Sequence, residues 1–378
     1  MDEAIEYLLA GDPAIRWQVM RDLTDAPAAQ VAAERARVAN EGWGARLLAE
    51  QAEDGLWDGG VYRPGWADEA RPMYDAWTAT HFSVQQLVDF GVDPADPAVR
   101  RAIDRIRDAV RWDHGGEPYF SGETEPCING VVVTAGTYFG QDVDRAVATI
   151  LAGQLPDGGW NCWAEYGATV SSLHSTICVL EGLWAWEQAT GGTDAARQAR
   201  RAAEEYLLDR RLFLRRSTGA VIDPRFTLAS YPVRWFYDVL RGLEYLRRAR
   251  PERDPRCTEA IELIRGKRDV HGLWALENTH EGPILFELDD EREGFPSRWV
   301  TLRALRVPAL VGRRLSPDIL AHAAGTPKPG ILVQTERVAL GVAEDPWFRR
   351  ILAAAGAVRP ARPRRPCARR PAPARGRP

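Results

Sequence analysis

Cys127, Cys162 and His174 are of the residue types that bind a transition metal. Two thiolates and an imidazole suit zinc and leave its fourth position open, as a catalytic zinc requires. Cys178 lies one turn past His174 on the same helical face and is a substitute ligand. The bland reading is that the cysteines are small buried hydrophobes and His174 a satisfied polar group. A second set combines aromatics and arginines near the starts of apolar stretches: Tyr74 and Trp77, then Arg234, Trp235 and Tyr237, then Arg298 and Trp299. An arginine in a helix's first turn opposes the helix dipole and so needs another reason. An anionic ligand such as a phosphate is one, since helix N-termini and guanidinium groups both bind it. The tryptophan faces then hold an apolar chain or a cationic centre. Alternatively, Arg234 and Arg298 pair with Asp238, Glu281 or Glu287 and brace neighbouring repeats. Asp75 and Asp238 read more simply as dipole partners than as acids.

The elements that must position these residues are repeats. A Gln/Arg-x3-Gly pattern occurs five times, ending at Gly55, Gly115, Gly158, Gly219 and Gly272. Three copies continue to a tryptophan two residues on, at Trp57, Trp160 and Trp274, whereas Glu117 and Val221 occupy that place in the other two. Each glycine follows an amphipathic stretch, such as Val143 to Leu155 or Ala195 to Leu208, with apolar residues near i, i+3 and i+4. A more apolar helix comes next. Four of these are expected to open just after Pro72, Pro126, Pro232 and Pro296, where proline forfeits only an unpaired donor. The third opens at Ser171-Ser172, a suitable N-cap. The fourth and fifth share Pro-x-Arg-Trp, at Pro232–Trp235 and Pro296–Trp299. The unit is therefore a charged outer helix, a glycine turn and an apolar inner helix, and the fold class is all-α. Ile5 to Leu9 and Ala14 to Leu23 are two short helices of an N-terminal cap over 1–40.

The Gln-x3-Gly-x-Trp element resembles the QW motif of the terpenoid-cyclase and protein-prenyltransferase superfamily. The resemblance spans roughly 42–307 and implies a single α/α toroid of about five hairpins over 41–313, with inner-helix N-termini facing a central cavity. In such a ring Cys127, Cys162 and His174 meet at the cavity rim, and the stretch from His174 to Leu183 is similar to the prenyltransferase helix that carries the zinc histidine. The family's Asp-x-Cys element is missing before Cys162, which follows Trp160-Asn161. Glu287-Leu288-Asp289-Asp290 formally matches an acidic variant of the cyclase motif that protonates alkenes, so Asp289 and Asp290 are candidate acids; a solvated acidic loop is the competing reading. The resemblance implies an enzyme acting on an isoprenoid, with zinc as its cofactor in the transferase case. A carbohydrate-active toroid and a non-catalytic ring-shaped scaffold are the alternatives.

Composition bounds these readings. The 378 residues are 45% hydrophobic and 27% charged, ordinary for a globular protein, but 14 are tryptophan. So many indoles are expected to line a cavity or staple turns. The net charge of −4 conceals a tail over 357–378 with eight arginines and no acid, expected to be disordered. The acidic remainder argues against a nucleic-acid partner. Five cysteines without a CxxC pair, an acidic N-terminus and no long apolar run point to a cytoplasmic protein without a transmembrane segment. Past residue 313 the pattern fades into an extension over 314–356.

Overall fold

Amphipathic stretches separated by glycine turns fold as helices, and the computed structural model bears this out for residues 3–68, 74–250 and 252–307, the residues described. Pro72, the 314–356 extension, Cys367 and the arginine-rich tail lie outside them. Three helices come first: α1 (Glu3–Leu9), α2 (Pro13–Leu23) and α3 (Ala28–Arg37). Two series then alternate along the chain. The first series is α4 (Gly42–Ala49), α6 (Pro97–Ala109), α8 (Asp144–Ala152), α10 (Asp194–Leu208) and α12 (Thr258–Arg265). The second, in which each helix is at least half buried, is α5 (Thr80–Phe90), α7 (Pro126–Tyr138), α9 (Leu173–Thr190), α11 (Val239–Ala249) and α13 (Arg298–Leu305). Among the described residues β-pairing is confined to isolated bridges, so the fold is all-α. No described helix is long and apolar enough to cross a membrane.

The second series packs in succession: α5 on α7, α7 on α9, α9 on α11, α11 on α13. The last, α13, meets α1 and α2, and its Trp299 stacks on Trp43 of α4 and Phe90 of α5. Helices α7 and α9 approach most closely through glycines. A Cβ on Gly130 would lie 2.4 Å from the Cys178 carbonyl, and one on Gly182 would lie 2.6 Å from the Gly130 oxygen.

The three complete glycine turns share one set of bonds. Trp57, Trp160 and Trp274 donate their indole N–H to the carbonyls of Leu47, Ile150 and Ile264 in the last turns of α4, α8 and α12, at 2.8, 2.7 and 2.7 Å. Their backbone N–H groups donate to the hydroxyls of Thr80, Thr176 and Thr301 in the first turns of α5, α9 and α13, at 3.0, 3.1 and 3.0 Å. A helix C-terminus leaves carbonyls short of partners; each of these three accepts one tight-turn backbone N–H, from Glu50, Gly153 or Lys267, and the indole adds a second bond out of water. Gln51 and Gln154 reach outward: each amide donates to the carbonyl of its turn glycine and to Ala102 of α6 or Ala199 of α10. Gly55 and Gly158 have φ of +88° and +98°, and a Cβ there would press on the backbone of α6 or α10. In the second turn Trp112 takes over, donating to the Tyr119 carbonyl at 2.9 Å, while Val221 of the fourth turn is exposed.

The helix starts depart from expectation in two repeats: α5 opens at Thr80, so Tyr74 and Trp77 lie in the loop before it rather than at a helix start just after Pro72. Pro126 opens α7, Ser172 precedes α9, and Ser297 caps α13 by accepting from the Val300 N–H. Helix α11, however, opens at Val239 behind Asp238, whose carboxylate accepts from the Arg241 N–H. Pro232 and Arg234 therefore sit in the preceding loop, and the two Pro-x-Arg-Trp copies are not equivalent: Arg298 begins a helix and Arg234 does not.

The Trp160 staple is testable. Trp160→Phe keeps an aromatic ring but deletes the donor and leaves a gap; it is expected to lower stability by about 1–3 kcal/mol in denaturant titration. A loss below about 0.5 kcal/mol would mean the turn holds without its indole.

Candidate functional site

The thiols meet as expected, but with a different third partner. Cys127 occupies the first turn of α7, and Glu125 is the residue just before that helix. Cys162 follows the Trp160 turn, its N–H donating to Ser175 Oγ at 3.2 Å and its Sγ accepting from the same hydroxyl at 3.3 Å. The two Sγ atoms are 2.7 Å apart, and Cys127 Sγ lies 3.8 Å from Glu125 Oε2. Ligand atoms of Glu125, Cys127 and Cys162 all fall within 4.8 Å of one another. The bond from Cys162, then burial, push the Cys127 thiol well above its ordinary value, and desolvation raises the Glu125 carboxyl.

His174 is not in this group. Its Nδ1 accepts the Tyr237 N–H at 2.8 Å, and its ring is edge-on to Phe226, Trp235 and Phe236. Burial lowers it to about 3, so the ring is neutral. The sequence placed it with the cysteines because a ring of hairpins would bring all three to one rim; the bond to Tyr237 turns it to the loop before α11 instead. Cys178 likewise contacts the Trp235 carbonyl and Arg241.

Aromatic rings adjoin the thiols. Tyr62 lies close enough to Cys127, Glu125 and Cys162 for their charges to raise its pKa, after burial, which is the larger cause. Its ring packs on Phe82, Phe82 on Trp77, and Trp77 on Phe236. Trp235, Phe236 and His280 stack at 3.7 and 3.8 Å. Trp77 donates to the carbonyls of His280 and Glu281, and the Arg234 guanidinium stands 5.5 Å from its ring.

The other proposed binding residues have different occupations. Tyr237 donates its hydroxyl to the Leu212 carbonyl inside the core. Trp299 is buried in the stack with Tyr231, Trp43 and Phe90. Arg298 pairs with Asp290 at 2.7 Å and covers the Tyr7 ring, so its charge braces α13 against α1. Asp289 and Asp290 are exposed, as a solvated loop requires. Their neighbour Glu291 is the sheltered acid. It accepts from Ser297 Oγ and from the Arg298 and Trp299 N–H groups at the head of α13, and burial pushes it up to about 7.

A cavity of about 200 Å³ opens between Trp77, Tyr231, Arg234, His280, Leu285 and Glu291. That is below the roughly 300–1,000 Å³ usual for small-molecule sites. Arg234 is 5% exposed and has φ +52°, a region costly for a side chain with a Cβ. Its carbonyl is held by Gln85 and Arg241. Asp89 of α5 is near enough to be felt by Arg234 and is itself pushed up to about 7, by burial and then by Glu181.

Sequence reasoning missed Glu125, Asp89, Tyr231, His280 and Glu291. Glu125-Pro126-Cys127 carried a usable signal, an acid directly before a helix-opening proline, two residues from a thiol. The others sit in loops or on a helix face whose inward direction is a tertiary property. No family model matches this sequence, and no curated protein does. Among solved structures, the crystal structure of a protein from Actinoplanes aligns at 16% identity with a TM-score of 0.38, over 79% of this chain and 89% of that one.

The Asp89 carboxyl ties stability to pH. Between about pH 4 and pH 7 the folded chain keeps a proton on it that the unfolded chain has released. The group therefore destabilises the fold progressively as pH rises through that window, and by a constant amount above it. Asp89→Asn should melt above wild type at pH 8, with the gap closing towards pH 4. A gap independent of pH contradicts the assignment.

Proposed function

We propose that the five helical hairpins form a single α/α toroid and that the protein is a prenyltransferase-like, zinc-dependent enzyme acting at the rim of that ring on an apolar substrate of the isoprenoid class. Supporting the ring are the succession of packed, largely buried helices α5, α7, α9, α11 and α13 and the packing of α13 back onto the N-terminal elements. The observation that carries the functional reading is the convergence of Glu125, Cys127 and Cys162. Two thiols and a carboxylate match zinc's preferred donor types and leave a fourth position free; to bracket a tetrahedral ion the sulfurs have to part from their 2.7 Å separation. Zinc bound there supplies a nucleophile, thiolate or hydroxide, at neutral pH.

The chain's own residues do the positioning. Ser175 orients Cys162 through both its backbone and its sulfur. His174 holds the Trp235–Tyr237 loop by its bond to the Tyr237 N–H. Tyr62 lies beside the thiols, and Phe82, Trp77, Phe236 and Trp235 continue from it ring to ring, an apolar series that supports an apolar substrate. The 200 Å³ cavity is too small for an isoprenoid chain, so the chain lies along the rim.

Metal analysis tests this directly. Protein expressed with zinc should carry about one ion per chain, lost in Cys127→Ser and Cys162→Ser and kept in His174→Ala. Metal-free wild type, or a His174 variant that loses the ion while the cysteine variants keep it, removes the reading. Calorimetry with geranylgeranyl diphosphate and a neutral oligosaccharide decides the substrate class. Binding of the sugar alone hands the case to a carbohydrate-active ring, and binding of neither to a scaffold.

A further inference from the structure

The cavity beside Arg234 is built for a ligand of its own. Among the described residues no carboxylate or carbonyl pairs with the Arg234 guanidinium, although the residue is 5% exposed. The hydroxyl of Tyr231, 3% exposed, and Nε2 of His280 are buried without a hydrogen-bond partner, and both residues line the same cavity. A buried polar group left unpaired costs roughly 1–3 kcal/mol, and two of them beside a guanidinium without a carboxylate mark a place where an acceptor is missing.

All three are donors. Arginine has no acceptor atom, and burial keeps the Tyr231 hydroxyl protonated. The Asn278 amide, which also reaches Ser230 Oγ, faces His280 Nδ1 at 3.4 Å, so the ring proton belongs on Nε2. The acids nearby do not fill the gap. Both oxygens of Glu291 are engaged at the head of α13, and Asp89 acts on Arg234 only through space. Glu281 and Glu287 are exposed.

We propose that this cavity binds a small organic monocarboxylate, its carboxylate received by Arg234, Tyr231 and His280 and its apolar body set against Trp77, Leu285 and Phe286. A single charge fits because one guanidinium, with Asp89 and Glu291 close by, compensates one negative charge and not several. The volume admits a compact acid and excludes a long chain. This site stands apart from the zinc reading and does not depend on it.

Calorimetric titration of the full chain with benzoate, benzamide and inorganic diphosphate tests it. Benzoate should saturate, the neutral amide should not bind, and diphosphate should bind more weakly than benzoate. Arg234→Met should weaken benzoate at least tenfold, as loss of a charge-assisted bond does, and Tyr231→Phe about threefold or more. The tyrosine variant removes one oxygen that has no partner, so it should fold at least as stably as wild type and decides the matter if the arginine variant does not fold. Absence of saturable benzoate binding up to about 10 mM, equal affinity in wild type and Tyr231→Phe, or tighter binding of diphosphate would each overturn the proposal.

Discussion

A single hydrogen bond, made three times, sets the frame: an indole N–H closing the open end of a helix ten residues earlier in the chain. Each tryptophan also presents its backbone N–H to a threonine that starts the next helix, so the ring joins one helix end to the following helix start. Fully buried, these bonds have no competition from water, and any displacement of either helix leaves polar groups unpaired in the interior. Glutamine carries the same turn outward to the next charged helix in two of the three cases. Repeat geometry thus follows from turn chemistry more than from the helices, whose apolar faces alone would permit many packings.

That is why the fold class was legible and much of the site was not. Glycine, tryptophan and a helical period are local signals, and they placed α8 and α10 within a few residues of their observed spans. The Pro-x-Arg-Trp repeat misled because similar letters met different surroundings. Ser297 caps a helix immediately, whereas the loop after Pro232 runs on to Asp238 before α11 begins. Partner choice for charged groups is similarly non-local. Arg298 found Asp290, eight residues back, and His174 found a backbone N–H 63 residues away. Cys127 and Cys162 do meet, and each is tied to a locally marked element: Cys127 to the α7 start that Pro126 opens, Cys162 to the turn of Trp160.

Buried charge forms a second layer of order. Arg241 pairs with Glu181 and also donates to the carbonyls of Arg234 and Phe236. Arg303 pairs with Glu244 and donates to the Ser230 carbonyl. These arginines fix the loop that carries Tyr231, Arg234 and Trp235 from both ends. Truncating one would strand its carboxylate in the interior, a costly outcome, so their contribution is to define one loop conformation as much as to add stability. Against that background Arg234 stands out as the buried guanidinium whose charge the protein leaves uncommitted.

The staple measures a constant distance on one side and none on the other. Ten residues always separate carbonyl from indole, yet 23, 16 and 27 residues separate the three tryptophans from their threonines. Lengthening such a segment costs only a logarithmic entropy, about 0.6 kcal/mol per doubling. The loops that bear the thiol of Cys162 and the carboxylate of Glu291 belong to this unmeasured side. Chains sharing the frame are therefore free to diverge in the segments that bear these side chains, and their sequences can drift apart in length and letter while the scaffold beneath keeps its dimensions.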